Sequence, residues 1–392
     1  MIARNFCLAN IFAARSLGLA NSFVAARVLG LAIILFALVP QFLFAKDVKK
    51  TKLAVEIPEQ EGLEIFNERD FPQEVEHESY SHPYRWNKLD GEKVQFKEIW
   101  GYLVTNRLKD FDKNAPLTDL ALFGVDVDCY GKLETAPKRN LTAGFNGRVH
   151  LVAVCNSTST THFVLDPKYG LRGDLIKDLI FASREFDGLQ IDYELVPQKD
   201  GENFLEFLRQ LKRKLGEKPL TVCVPARVKS FSTDVYDYKK IAAVADKVMI
   251  MAYDEHWSTS APGSIASINW CKKIVDYALG VLPADKYIIG VPFYGRSWVD
   301  RSLAQAWYFN GANRIMHENN VKQLKRKDGV PHFEYEAKAK VTLWFDDATS
   351  LLQRARMYKD YGFDNIAFWR LGMEDAAFWS WIEPLVPLNE KP

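Results

Sequence analysis

Apolar segments alternate with amphipathic stretches from residue 98 onward, a pattern typical of repeated strand–helix units. Eight short apolar runs predict strands at 98–104, 119–127, 149–155, 188–196, 220–225, 247–253, 287–292 and 365–369. Between them, helical spacing groups Leu175 with Leu179, and Phe204 with Leu208 and Leu211 ahead of Gly216, a predicted C-terminal cap. Eight strand–helix units over about 290 residues predict an α/β fold, the (β/α)8 TIM barrel. A doubly wound open sheet is disfavoured because no glycine-rich phosphate turn follows the first strand.

The fourth predicted strand carries polar residues at every second position. Gln190, Asp192 and Glu194 share one face of residues 186–196, and Ile191 and Tyr193 share the other. In a parallel barrel covered by helices the polar face points inward, and Glu194 then lies at the open end of the strand. A half-exposed antiparallel strand would show the same spacing, so alternation alone leaves both interpretations open.

Three later strands also end in acidic, basic or aromatic residues. Tyr253, Asp254 and Trp257 follow the sixth strand, Tyr294 and Arg296 follow the seventh, and Trp369 ends the eighth. Aromatic rings stack on the apolar faces of sugars, and carboxylates bind sugar hydroxyl groups. A single Trp or Tyr is more often a core residue, but their joint position after strands indicates a carbohydrate site.

Composition restricts the partners and cofactors. The chain has 392 residues, of which 48% are hydrophobic, and a formal net charge of +1, so it can bury a large core and shows no global preference for nucleic acid. The five cysteines include no CxxC pair, which argues against a zinc ribbon, an iron–sulfur site or a redox dithiol. We expect neither a metal nor an organic cofactor.

The N-terminal segment is predicted to direct export. Arg15 and Arg27 precede an apolar run at 28–45, after which the chain becomes highly charged. Residues 1–45 therefore predict a signal peptide or a membrane anchor, residues 46–95 a charged linker or arm, and residues 96–392 the barrel domain. The expected location is the periplasm, the cell envelope or the extracellular space.

The strand-end motifs resemble those of a known family. Residues 187–194, Asp-Gly-Leu-Gln-Ile-Asp-Tyr-Glu, resemble the signature of the family-18 glycoside hydrolases, the chitinase-like barrels. Further similarity follows in matching order at 251–257, 290–296, 344–347 and 368–372. As a set, these motifs are similar to the branch of bacterial spore-germination and cortex-lytic N-acetylglucosaminidases.

The resemblance implies a substrate-assisted retaining mechanism. Glu194 would protonate the leaving glycosidic oxygen, and the nucleophile would be the 2-acetamido oxygen of the substrate itself. Asp192 would orient and stabilise the acetamido group, and Tyr253 would bind its oxygen. The residues that the resemblance suggests for substrate binding are Asp187, Gln190, Asp254, Trp257, Tyr294, Arg296 and Trp369.

Two features depart from the fullest family pattern. Many chitinases have an acid where this chain has Gln190, and an amide cannot share a proton with Asp192. We therefore expect Asp192 to remain ionised and the rate to differ from that of a chitinase. Members of the family carry an inserted α+β module between strands 7 and 8. In this chain the insertion would occupy about 299–341, and because it is small it predicts a shallow groove. Its basic run at 322–327 predicts a solvated helix face.

Two functions remain open at this stage. The first is a secreted glycosidase that cleaves β-1,4 bonds next to N-acetylglucosamine in peptidoglycan or chitin-like glycans. The second is a chitinase-like carbohydrate-binding protein with weak or no activity, which Gln190 favours. In both, the partner is a polysaccharide that contains N-acetylglucosamine.

Overall fold

The computed structural model describes residues 89–299, 304–336 and 340–386. The strands are β1 (Val94–Phe96), β2 (Glu98–Val104), β3 (Asp119–Asp126), β4 (Arg148–Val154), β5 (Gly188–Asp192), β6 (Leu220–Pro225), β7 (Lys247–Met251), β8 (Tyr287–Pro292), β9 (Gly295–Val299), β10 (Gln305–Trp307), β11 (Lys325–Lys327), β12 (Val330–Glu336), β13 (Lys340–Trp344), β14 (Asn365–Trp369) and β15 (Ile382–Pro384). The α-helices are α1 (Thr158–Leu165), α2 (Arg172–Ala182), α3 (Gly201–Leu215), α4 (Tyr238–Ala242), α5 (Ile268–Leu279), α6 (Phe309–Glu318) and α7 (Ala348–Asp360).

Eight parallel strands close into a barrel in the order β14-β2-β3-β4-β5-β6-β7-β8. The predicted (β/α)8 fold is therefore confirmed, and β2, β6, β8 and β14 have the bounds that the apolar runs predict. Strands β5 and β7 end earlier than predicted, at Asp192 and Met251. The polar residues that follow them consequently lie in the loops at the carboxyl end of the barrel, where TIM-barrel sites are found.

The helices cover the barrel with the apolar faces that their spacing predicts. Helix α3 buries Phe204, Leu208 and Leu211 against the strands. The helix ends at Leu215, and the next residue, Gly216, has a positive φ of 61° and an N–H that bonds to the Lys212 carbonyl, as expected of a C-terminal glycine cap. Most of the buried apolar side chains form one core between the barrel and its helices.

An antiparallel sheet is inserted between β8 and β14. Its order is β10-β9-β13-β12-β11, and helix α6 packs against it around a small apolar cluster that includes Trp307, Phe333 and Phe345. The predicted α+β insertion is thus present, and its strands extend from Gly295 to Trp344. The prediction of a helix face in the basic run was wrong, because Lys325–Lys327 form strand β11, paired with β12.

A two-stranded parallel sheet joins the two ends of the described chain. Strand β1 pairs with β15 through Val94 and Ile382, so the end of the predicted linker is a strand. The predicted signal peptide or anchor, and the linker up to residue 88, lie outside the described residues. Within the described ranges, no helix has the length and apolar character needed to cross a bilayer.

Candidate active site

Strand β5 carries Asp192 to the inner surface of the barrel. Gln190 and Asp192 point inward and are buried, whereas Tyr193 points outward and stacks on Phe207 of α3, with ring centroids 5.6 Å apart. Glu194 follows two residues beyond Asp192 and is exposed at the mouth. The period of two seen in the sequence therefore places one acid in the wall and the next at the open end.

The pKa values of the Asp192 and Glu194 carboxyl groups are both raised. Burial raises the pKa of Asp192 well above its usual range, and the neighbouring Glu194 charge raises it further. Desolvation by the surrounding protein raises the pKa of Glu194 as well, and the negative charge of Asp254 raises it further. The expectation that Asp192 stays ionised is not supported, because burial and Glu194 both favour its protonated form.

Asp254 lies beside these acids in the loop after β7, with a positive φ of 60°. One of its oxygens accepts hydrogen bonds from the Tyr294 hydroxyl at 2.6 Å and from Nη2 of Arg296 at 2.9 Å. Arg296 is fully buried in β9, and the ring of Tyr253 lies 6.3 Å from that of Tyr294. The inserted sheet thus supplies the cation that fixes Asp254 and its backbone turn.

Trp369 ends the last barrel strand and forms the aromatic part of the site. The centroid of its ring lies 5.2 Å from that of Tyr102 and 4.8 Å from that of Phe123, and the residue is buried, with 8% of its surface exposed. The peptide bond between Trp369 and Arg370 is cis. Together, the acids and this ring form a carboxylate-rich, aromatic cleft suited to a sugar.

Residues 174–374 match the profile of Glycosyl hydrolases family 18, just over half of the chain. The chain belongs to family 18. The prediction of a family-18 glycosidase is therefore confirmed.

Two curated relatives of this family-18 chain come from Bacillus subtilis. The chain is 30% identical to an uncharacterised glycosylase of strain 168 over 293 residues, which cover 68% of this chain and 83% of the relative. It is 23% identical to the cortical fragment-lytic enzyme of the same strain over 317 residues, 74% of each protein. Among solved structures, the spore cortex-lytic enzyme SleL of Bacillus cereus superposes with a TM-score of 0.68 at 23% identity, covering 77% of this chain and 78% of that one, which shows the shared fold.

Most of the residues predicted for the family-18 site lie at one end of the barrel. The residues after or at the carboxyl ends of β5, β7, β8 and β14 are Asp192, Glu194, Tyr253, Asp254, Tyr294, Arg296 and Trp369. Trp257 lies farther along the loop after β7, where half of its surface is exposed and its indole N–H bonds to Thr259.

Asp187 does not belong to this group. It precedes β5 and so lies at the opposite end of the barrel. One oxygen of its carboxylate accepts from the Val149 N–H at 2.7 Å and from Arg139 at 2.9 Å. The structure therefore does not bring Asp187 together with the other residues suggested for substrate binding, because the five residues of β5 lie between it and the end of the barrel where Glu194 lies.

Gln190 lies beneath the cleft rather than on its surface. It is fully buried, its carbonyl oxygen accepts from the Tyr102 hydroxyl at 2.5 Å, and its amide nitrogen donates to Thr221 at 2.9 Å. With both ends of the amide occupied, direct binding of substrate by Gln190 is not supported.

Sequence reasoning missed Tyr102 and Cys223, which line the barrel next to Gln190 and Asp192. Cys223 follows Val222 on β6, so it lies next to Asp192 in the register of β5 with β6, and its thiol lies 3.8 Å from the Tyr102 hydroxyl. A signal existed in the predicted fifth strand, where Thr221 and Cys223 share one face. The identity of their partners requires the register between β5 and β6.

Among the residues that the structure describes, one group of ligand-type side chains lies away from the cleft. His162, Asp166 and Asp200 bring ligand atoms close together, with Nδ1 of His162 2.7 Å from Asp200. The Lys199 ammonium lies 3.2 Å from Nε2 of the same histidine. A cation would meet that positive charge, so this cluster is best explained as a hydrogen-bonded contact between α1 and the start of α3.

Proposed function

We propose that this protein hydrolyses the glycosidic bond next to an N-acetylglucosamine residue by substrate-assisted retaining catalysis. The observation that carries the proposal is the pair Asp192 and Glu194 at the barrel mouth, both with raised pKa values. A general acid must hold its proton near working pH, and a raised pKa in Glu194 serves that role.

In the proposed reaction, Glu194 donates its proton to the leaving glycosidic oxygen. The substrate's 2-acetamido oxygen attacks the anomeric carbon and forms an oxazolinium ion, so no second carboxylate nucleophile is required. Asp192 must first lose to solvent the proton that its raised pKa favours; its carboxylate then accepts a hydrogen bond from the acetamido N–H and stabilises the positive charge. Water then opens the ring, with Glu194 acting as the base that accepts its proton.

The remaining side chains would bind the sugars. Tyr253 is proposed to donate to the acetamido oxygen, Trp369 to support the reacting ring, and Asp254 to bind sugar hydroxyl groups, with the buried Tyr294 and Arg296 holding its carboxylate in place. Asp254 has a second function, because its charge supports the raised pKa of Glu194.

We propose peptidoglycan as the polymer. The support is the similarity to proteins named cortical fragment-lytic enzymes, which match over about two thirds or more of their length. A wall polymer lies outside the cytoplasm, and this is consistent with the export signal predicted for residues 1–45.

The proposal is tested by digestion of purified peptidoglycan and of chito-oligosaccharides with the purified chain. The variant Glu194→Gln keeps the shape of the side chain but removes the proton donor, and we expect turnover to fall by about 10²–10⁴-fold. Glu217→Gln is the matched control, since Glu217 is exposed between α3 and β6 at the opposite end of the barrel. Mass spectrometry should find new N-acetylglucosamine reducing ends that disappear only in Glu194→Gln.

The second candidate function is carbohydrate binding without turnover, and Gln190 is the residue that favours it. Binding of both glycans without new reducing ends in the wild type would establish that function instead. Turnover by Glu194→Gln at the wild-type rate would remove Glu194 from its role as the acid.

A further inference from the structure

Asp192 faces a residue on the next strand that the mechanism has not used. Gln190 pairs with Thr221 and Ile191 with Val222 in the register of β5 and β6, so Asp192 and Cys223 are the next neighbours along the two strands. Their side chains lie on the inner surface, and both residues are almost fully buried. The thiol therefore lies against the carboxyl group in the floor of the cleft.

Gln190 is not available to assist Asp192. Its oxygen accepts from Tyr102 at 2.5 Å, and its nitrogen donates to Thr221 at 2.9 Å. Asp192 Oδ1 is buried and has no hydrogen-bond partner among the described residues. In this barrel the side chain at position 190 neither donates to the acid nor shares its proton.

We propose that Cys223 is the positioning residue for Asp192. Its neutral thiol supplies the hydrogen bond to the Asp192 carboxyl group that Gln190 cannot supply. This inference rests on the proposed catalytic role of Asp192. A thiol suits both protonation states of the acid, because its S–H donates to a carboxylate and its sulfur accepts from a carboxylic acid.

The thiol stays neutral beside the acid. Burial raises the pKa of Cys223 well above that of a free thiol, and the charge of Asp192 raises it further. A second carboxyl group at this position would add a negative charge next to Asp192, and a thiol does not. The groups that face Asp192 from the surrounding strands and loops are Glu194, Asp126, Cys223, Tyr102, Tyr253 and Tyr236.

The role predicts a specific change in the pH profile. A hydrogen bond donated to the ionised acid favours ionisation, so its loss raises the pKa of Asp192. In Cys223→Ala the acidic limb of kcat moves to higher pH, and kcat near neutral pH falls by about ten-fold, the size expected for one hydrogen bond to a charged group. Cys223→Ser restores a donor of similar size, and its rate and acidic limb return towards the wild type.

Cys271→Ala is the matched control. Cys271 is also a buried free thiol, but it lies in α5 next to Tyr358. If Cys223 only fills space, the alanine variants at 223 and 271 both lose stability and neither moves the acidic limb. That result, or a serine variant with no rescue, would overturn the proposal.

A spectroscopic test does not depend on turnover. The S–H stretching band of Cys223 is identified by infrared difference against Cys223→Ala and is then compared between the wild type and Asp192→Asn. We expect the band to shift when the carboxyl group is replaced; an unchanged band overturns the contact. Wild-type protein without glycan hydrolysis would contradict the proposed function alone, because the infrared band would still report the thiol and its partner.

Discussion

At the residue scale, the proposed chemistry of the cleft depends on how the protein and neighbouring charges adjust the pKa of Glu194. Desolvation by the surrounding protein is the larger cause of the raised pKa of Glu194, and the negative charge of Asp254 is the smaller one. Asp254 in turn accepts hydrogen bonds from Tyr294, which directly precedes β9, and from Arg296 of β9. The proton on Glu194 is therefore controlled from the inserted sheet as well as from the barrel.

Asp254→Asn tests this control. Asparagine has the same shape and tolerates the positive φ of 60° at this position, but it carries no charge. We expect the pKa of Glu194 to fall, so that the alkaline limb of kcat/KM moves to lower pH and activity declines most on the alkaline side. The measurement is the pH profile with a soluble N-acetylglucosamine oligosaccharide.

Asp276→Asn is the control for this variant, because Asp276 is exposed on α5. It should leave both limbs in place. An alkaline limb that does not move in Asp254→Asn would show that the charge of Asp254 has no influence on the acid.

At the element scale, one side chain connects the inserted sheet to a barrel helix. Asp347 caps α7 by accepting from the Ser350 N–H at 2.9 Å, and the Ser350 hydroxyl accepts from the Asp347 N–H at 3.0 Å. Arg326 of β11 forms a salt bridge with the same carboxylate. The basic strand is thereby tied to the start of the last barrel helix.

Asp347→Ala should lower the free energy of unfolding by about 1–3 kcal/mol, because it removes the N-cap and the partner of Arg326 together. Asp347→Asn keeps a good cap but not the charge, and should lose less than half as much. Urea unfolding followed by circular dichroism measures both values. Equal losses in the two variants would assign the stabilisation to the ion pair rather than to the cap.

At the scale of the whole molecule, a charged network closes the barrel at the end opposite the cleft. Glu98, Asp119, Arg148 and Lys247 are the first residues of β2, β3, β4 and β7. Arg148 bonds to Asp119 at 2.7 Å and to Glu98 at 2.8 Å, Lys247 bonds to Glu98 at 2.7 Å, and Nε2 of His150 lies 2.8 Å from Asp119. Four strands that are distant in sequence are thus linked through one set of ion pairs.

The network makes stability depend on pH. Burial alone would raise the pKa of Asp119 and Glu98, but hydrogen bonds and charges from His150, Arg148 and Lys247 outweigh it and lower both values. A carboxylate with a lowered pKa in the folded state stabilises the protein at neutral pH, and this contribution is lost as the pH falls below about 4.

Asp119→Asn weakens this network and should cost about 1–3 kcal/mol at neutral pH, because Arg148 and His150 lose a charged hydrogen-bond partner while the part-exposed Arg148 keeps its bond to Glu98. The cost should shrink as the pH falls, because the wild-type carboxylate is then protonated as well. Chemical unfolding from neutral to acidic pH tests both statements, with Asp276→Asn as the exposed control. A loss of equal size at every pH would show that the role of Asp119 is packing.

The order of elements could be predicted from the sequence because it depends on local periodicity. A period of two identifies a strand and a period of 3.6 identifies a helix, whatever lies next to them. Eight such units predicted the closed barrel, and the alternation in residues 188–192 placed Asp192 on its inner surface. The family motifs added the roles proposed for Glu194 and Tyr253.

The partners of the site residues were decided only by the tertiary structure. Asp187 and Glu194 lie close in sequence, yet the length of β5 places them at opposite ends of the barrel. Gln190 and Cys223 lie on different strands, and only the register of β5 with β6 places Cys223 against Asp192. Periodicity specifies which face a side chain takes, whereas its neighbours depend on how strands far apart in the chain align when the barrel closes.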